Sequence, residues 1–169
     1  MMFKETDIKK LPYNPFTLIG DEWMLICAGN EEKHNFMTAG WGGLGVLWNK
    51  NVATVYIRPT RYTLGFVENE PYFALCFFGK DKKVHKVGGN MSGRDVDKTK
   101  AAGLTPVFAD GTVYFEEAEM VFICKKIYHS VLDNANFLDP ETEGFYENDY
   151  HKIFVGEIVK ALIKPGREI

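Results

Sequence analysis

Cysteine is scarce in this chain, with three in 169 residues, and no two of them stand in a C-x-x-C pair. Cys27, Cys76 and Cys124 each sit inside an apolar run, which predicts reduced, buried, structural thiols rather than disulfides or a zinc site. A basic excess is also missing: 20 Lys and Arg face 23 Asp and Glu, the formal net charge is -3, and the lysines are scattered. No nucleic-acid partner is expected on that footing. No apolar run approaches the length of a membrane span, and the segment from Met1 to Asp7 has no apolar h-region, so a cytoplasmic location away from membranes is expected. His34, His85, His129 and His151 show neither H-x-H nor i, i+4 spacing, and no G-x-S-x-G is present. These gaps argue against a metal centre and against a serine hydrolase.

What the chain does have is 46% hydrophobic residues and many short β-type runs, the balance of a single globular domain over residues 1–169. Pro12 and Pro15 predict an extended lead-in from Lys10 to Thr17 with Leu11, Tyr13 and Phe16 lying on the body. A turn at Gly20-Asp21 leads to a strand over 23–28, a polar loop over 29–33 and a return strand over 35–39. The strand over 52–58 stops at Pro59, and Thr60 is the expected N-cap of a short helix through Glu68. Residues 72–78 are apolar throughout, as in a strand buried on both faces, and 79–83 read as a charged turn. Ser92-Gly93-Arg94-Asp95 has the spacing of a capping box, opening a helix that ends at Gly103. Asp110-Gly111 between apolar runs predicts a hairpin, followed by strands over 118–128 and 153–163, with a short helix after Asp139-Pro140. Many short strands and only three short helices argue for an antiparallel barrel.

The stretch from Asn35 to Gly45 crowds four glycines round Trp41. Glycine lets backbone polar groups approach a flat ligand, and Trp41 offers an aromatic wall beside them. Ordinary core or interface packing accounts equally well for Trp41 and Trp48. Gly40 to Gly45 also spells G-x-G-x-x-G, but that fingerprint needs a helix to follow. Here Trp48-Asn49-Lys50-Asn51 breaks the chain and a β-branched run follows, so a Rossmann unit is excluded.

A second stretch, Arg58-Pro59-Thr60-Arg61-Tyr62-Thr63, sets two guanidinium groups and three hydroxyls at a strand end running into a helix start. That is phosphate-binding chemistry, although an exposed arginine pair beside an ordinary N-cap fits the same residues. Ser92, Gly93, Arg94 and Lys98 form a third cluster, whose alternative is a capped surface helix with solvated lysines.

Four motifs in this order, Asn35-x-Met37-Thr38-x-Gly40-Trp41-Gly42, Tyr56-x-Arg58-Pro59-x-Arg61-Tyr62-Thr63, Ser92-Gly93-Arg94-Asp95-x-Asp97-Lys98 and His151-x-x-Phe154-x-Gly156-Glu157, resemble the flavin reductase-like family, especially its flavoredoxin branch. The resemblance implies a mainly β, FMN-binding split β-barrel, antiparallel and of Greek-key type with a few short helices, assembled as a homodimer with FMN near the interface. By the same resemblance the backbone from Thr38 to Gly42, Ala39 included, would line the isoalloxazine, with Asn35 and Met37 also among the cofactor-binding residues. Arg58, Pro59, Thr60, Arg61, Tyr62 and Thr63 would hold the phosphate. Ser92, Gly93 and Lys98 would close the pocket, with His151 and Trp41 beside the ring. Lys98 or backbone N–H groups would stabilise charge on the reduced ring. The implied role is an oxidoreductase taking electrons from NADH, NADPH or a redox protein such as a ferredoxin. The alternative is a flavoredoxin-type electron carrier with no small substrate of its own. The sequence singles out no catalytic residue.

Overall fold

The computed structural model describes residues 2–11 and 13–165, so the expectation at Pro12 lies outside the described residues. Among the described residues ten strands follow one another: β1 (Lys4–Thr6), β2 (Met24–Gly29), β3 (His34–Ala39), β4 (Gly42–Leu47), β5 (Lys50–Ile57), β6 (Tyr72–Phe77), β7 (Pro106–Ala109), β8 (Thr112–Phe115), β9 (Met120–Val131) and β10 (Lys152–Ile163). The helices are α1 (Pro15–Thr17), α2 (Thr63–Asn69), α3 (Lys83–Asn90) and α4 (Lys98–Ala102). The main sheet is antiparallel in the order β3-β2-β6-β9-β10-β5-β4, with β1 also paired to β10, and β7–β8 form a separate hairpin.

Period-2 alternation decides which side chains enter which core. In β6, Phe73, Leu75 and Phe77 join the cluster that contains Met24, Ile26, Val55 and Phe122, while Ala74 and Cys76 join the one with Phe36, Val113 and Phe115. β6 is therefore buried on both faces, as its unbroken apolar run requires. The three cysteines are free and fully buried in these cores, and burial pushes the thiols of Cys27 and Cys124 up. β9 and β10 pair along their length with register shifts at Val155/Gly156 and Ile158/Lys160, and such bulges bend a sheet. At Gly156 a Cβ would fall 2.7 Å from the Cys124 Cβ and 2.8 Å from the Phe73 ring, so the bend needs glycine.

β3 and β4 occupy opposite ends of the sheet order, yet only Gly40-Trp41 separates them in the chain. Two residues span about 10 Å at most from Ala39 to Gly42, so the sheet has to curl until its ends nearly meet. That corner positions the site.

Several elements depart from the sequence expectations. Gly42–Leu47 is a strand, not open backbone, and Trp48-Asn49 is its two-residue hairpin turn, with φ of 51° and 58°. Asp110-Gly111 makes the matching turn between β7 and β8. The lead-in is helical at α1 and over Leu18–Glu22, not extended. Leu11 and Tyr13 do pack on the core, whereas Phe16 is 86% exposed. Trp23 has a φ of 70° and precedes β2 rather than opening it. Residues after 82 form α3, beyond the turn expected there, and the segment after Asp139 is one tight helical turn at Thr142–Phe145.

Candidate functional site

Pro59 ends the ladder after β5, and two hydrogen bonds, Arg61 N–H to Arg58 O at 3.0 Å and Leu64 N–H to Arg61 O at 3.0 Å, wind the chain into α2. The helix starts at Thr63 with Tyr62 as its cap, so Thr60 is not the N-cap; its carbonyl instead accepts Arg94 Nη1 at 3.4 Å. Ser92 is not a helix cap either: its Oγ accepts the Arg94 N–H at 3.2 Å in a local turn. Asp97 caps α4 by accepting Lys100 N–H at 3.1 Å, because its carboxylate is the nearest acceptor to that first turn. The C-terminal stop at Gly103, at φ 66°, is as expected.

These turns bring Asn35, Met37, Thr60, Arg61, Tyr62, Thr63, Ser92, Gly93 and Lys98 round a polar cavity of about 160 Å³. Asn35 Nδ2 donates to Thr63 Oγ1 at 2.9 Å, and a Cβ on Gly93 would fall 2.3 Å from Asn35 Oδ1, so this glycine is fixed by its neighbour in the fold. Lys98 is 5% exposed rather than a solvated surface lysine. Its Nζ donates to Phe36 O at 2.5 Å and Gly88 O at 3.1 Å. Burial, and after it the charge of Arg61, lowers the Lys98 ammonium to about 8. Arg61 Nη1 donates to Gly89 O at 3.0 Å. Among the described residues no Asp or Glu lines this cavity.

A second cavity of about 130 Å³ shares Met37 and Arg61 with the first and adds Thr38, Ala39, Gly40, Trp41, Tyr56, Arg58 and His151. Arg58 therefore lines this second cavity and not the polar one. Its guanidinium is engaged there: Nη1 meets Asp149 Oδ2 at 2.7 Å, Nη2 donates to Phe145 O at 2.7 Å, and the group lies 5.1 Å over Tyr146. Glu147 N–H and then Arg58 hold the Asp149 carboxyl below its usual range. Arg58 thereby fixes the 145–149 segment, which sets Phe145 edge-on to Trp41 at 5.7 Å and Tyr146 OH 2.8 Å from His151 Nδ1. His151 is buried 5.3 Å from the Trp41 ring, and burial with the charge of Arg58 lowers its pKa, so the neutral imidazole prevails. Against the outer side of Gly40 and Trp41 lies an apolar groove of about 580 Å³, with Ile19, Gly42, Leu44, Tyr56 and Leu132 in its walls.

The family model described as flavin reductase like domain matches residues 19–168. The chain belongs to this family. Solved structures agree with the fold. A flavoredoxin from Methanosarcina acetivorans is similar with a TM-score of 0.68 at 22% identity, over 88% of this chain and 71% of that one. An FMN-binding protein from Thermus thermophilus gives 0.67 at 24%, over 98% and 82%. An NADH:FAD oxidoreductase from Streptomyces globisporus gives 0.64 at 17%, over 87% and 78%. No curated protein matches the chain. The flavin reductase-like split barrel expected from the motifs is thus the fold found, mainly β with a few short helices.

Two of the expected cofactor-binding residues stand apart from both cavities: Pro59 lines an outer hollow, and Gly42 lines the apolar groove. The structure adds Tyr56, Gly89, Asn90 and Met91 to the cavity walls. Tyr56 could have been found, since strand alternation puts it on the side of Arg58. Gly89 to Met91 could not, because the residues that deliver them carry no helix signal of their own. Lys98 lines the polar cavity and not the one beside Trp41 and His151.

Proposed function

We propose that this chain binds FMN and works as a flavin-dependent oxidoreductase, moving electrons from NADH, NADPH or a redox protein such as a ferredoxin to an acceptor. The observation that carries this reading is the pairing of Arg61 and Lys98 on one cavity without a carboxylate, continuous through Arg61 and Met37 with a narrow cavity between Gly40, Trp41 and His151. Two like charges that disfavour each other are relieved by an anion. The donor set fits a phosphate monoester, and the glycine-aromatic corner fits a flat ring that extends toward the apolar groove.

When bound, the flavin supplies the hydride and electron chemistry, and the protein supplies binding, orientation and electrostatics. Arg61, Lys98 and the hydroxyls of Thr60, Thr63 and Ser92 would hold the phosphate. Backbone groups of Thr38 to Gly40 would meet the polar edge of the ring, with Trp41 and the neutral His151 shielding it from water. The apolar groove beside Trp41 supports turnover of a small substrate over the pure carrier role. Rapid mixing of the FMN-loaded protein with NADH and with NADPH tests this: fast loss of the oxidised-flavin absorbance with either donor is expected, and no bleaching by either leaves a redox-protein donor or the carrier reading.

A homodimer is part of the same proposal. β4 is an edge strand on which a Cβ added at Gly43 or Gly45 would meet nothing within 4 Å, and Val46 and the following Trp48 are exposed. An uncovered edge of this kind invites a second chain. Light scattering is expected to give twice the 19.3 kDa chain mass; a monomer with flavin bound would refute the dimer.

A further inference from the structure

His151 stands in the wall of the narrow cavity beside Trp41, Tyr56, Arg58 and Arg61, and it is 6% exposed. Its two ring nitrogens differ. Nδ1 lies 2.8 Å from the Tyr146 hydroxyl, whereas Nε2 has no hydrogen-bond partner among the described residues and is not sealed in the core. In a side chain this deeply placed, Nε2 opens onto the cavity that the ring lines.

Arg58 places Tyr146. Its guanidinium donates to Asp149 and to Phe145 O, on either side of Tyr146 in the chain, and lies 5.1 Å from the Tyr146 ring centroid. Phe137 at 5.8 Å and Tyr150 at 5.1 Å complete the seat of that ring. Burial holds the phenol above its ordinary pKa, so it stays an O–H. The bond to His151 has two conceivable directions: the phenol donates to a bare Nδ1, or Nδ1–H donates to the phenol oxygen. The first is favoured, because a phenol is a stronger acid than a neutral imidazole N–H and a guanidinium over the ring draws density from the oxygen. The imidazole proton is then on Nε2.

We propose that Tyr146, held by Arg58, is a positioning residue that fixes His151 as its Nε2–H tautomer and so makes it a neutral hydrogen-bond donor to a carbonyl oxygen in the cavity. Arg58 and Arg61 already bring two charges to this wall, and a neutral donor adds a directed bond without a third. Arg58 thereby serves the site through the 145–149 segment rather than by contact with a cofactor. The tautomer is a property of the chain without ligand. Only the source of the carbonyl rests on the flavin reading: it belongs to the flavin ring or to a small compound stacked beside it.

Nitrogen NMR of histidine-labelled protein without flavin, recorded across a pH titration, tests the tautomer, with His151→Gln to assign the signals and Tyr146→Phe as the variant. Phenylalanine keeps the ring packing and removes only the hydroxyl; thermal melts on the same samples check the fold. In the wild type Nδ1 is expected bare and Nε2 protonated, and in Tyr146→Phe the two tautomers should mix. Arg58→Gln should mix them too, and a pure Nε2–H form there removes Arg58 from the account. The charged and titratable groups facing His151 are Tyr56 from β5, Arg58 and Arg61 from the turns after it, and Tyr146 and Asp149 from the segment before β10; Lys152, the next residue, pairs with Glu68. Burial first, then Arg58, lowers the His151 pKa, Asp149 opposes them, and Arg61 adds to the lowering. A phenol bond to the bare nitrogen favours the neutral ring, so Tyr146→Phe should raise the protonation constant about fivefold, the worth of one hydrogen bond. A fall would mean that Nδ1–H donates to Tyr146, and no change would mean that the hydroxyl only packs; each overturns the proposal, as does an Nδ1–H tautomer in the wild type. FMN and then acetophenone are added to the same sample. A shift of the Nε2–H signal with FMN assigns the carbonyl to the ring, a shift only with acetophenone assigns it to a substrate, and no shift with either overturns the donor role. Failure of FMN to bind, read by fluorescence, strikes the flavin reading and leaves the tautomer result standing.

Discussion

Arg61 and Lys98 face one polar cavity from the turn before α2 and from α4, and burial followed by the guanidinium of the first lowers the pKa of the second. Nothing acidic in the cavity wall offsets them. The fold therefore holds two cations in a small space where an anion improves both, and the pH response of ligand binding should report it.

With the Lys98 ammonium at about 8, FMN affinity is expected to stay level from neutrality to that pH and to fall above it, as the phosphate comes to meet a neutral amine. The fall is bounded by about tenfold per pH unit for a single linked proton. Lys98→Met should bind FMN more weakly and lose this dependence. Fluorescence titrations at several pH values check it, and an affinity flat through pH 9 in the wild type would contradict the role of Lys98.

His85 gives a prediction for the protein without ligand. It is 2% exposed, its Nε2 has no hydrogen-bond partner among the described residues, and burial followed by the charge of Lys82 lowers its pKa to about 4. An unfolded histidine titrates near 6.5, so on acidification the unfolded chain takes up the proton first. Stability is then complete above about pH 6.5 and declines toward pH 4, by about 3 kcal/mol in all. Urea denaturation across that window should show the slope in the wild type and its loss in His85→Gln.

Two glycine substitutions should act in opposite directions. Gly65 lies within α2, where an added Cβ would meet nothing within 4 Å, so Gly65→Ala is expected to stabilise by about 0.5–1 kcal/mol. At Gly88 a Cβ would stand 2.4 Å from Thr38 Oγ1 and 3.1 Å from Leu25 Cδ2, so Gly88→Ala should cost about 1–3 kcal/mol by lifting α3 from β3. It should also weaken FMN binding, because Gly88 O anchors Lys98. Thermal melts and FMN titrations measure both effects.

The parts of the fold legible in the sequence are those where local chemistry and tertiary demand agree. The unbroken apolar run of β6 is buried on both faces, Asp110-Gly111 takes the positive φ of a hairpin turn, and Gly103 ends α4 in the left-handed region. β4 is illegible because Gly42, Gly43 and Gly45 bring no side chains to mark a strand; pairing with β5 imposes it, not propensity. α3 is illegible because Gly88-Gly89 depress helix propensity, while close packing of Gly88 on Thr38 requires glycine there. In the site, the motifs group Arg58 with Arg61 by proximity. The two bends after Pro59 separate them, sending Arg58 to Asp149 and Arg61 to the polar cavity. No local signal in the sequence encodes that separation.

The most direct test of the central claim compares FMN with riboflavin, which lacks the phosphate, on the wild type and on Arg61→Ala. If Arg61 holds the phosphate, FMN binding should weaken by about 1.5–3 kcal/mol, the range for hydrogen bonds to a charged group, while riboflavin affinity stays nearly constant. General damage to the fold would weaken both ligands together. Equal losses for FMN and riboflavin, or no loss for either, would contradict the assignment of the Arg61–Lys98 cavity to the flavin phosphate.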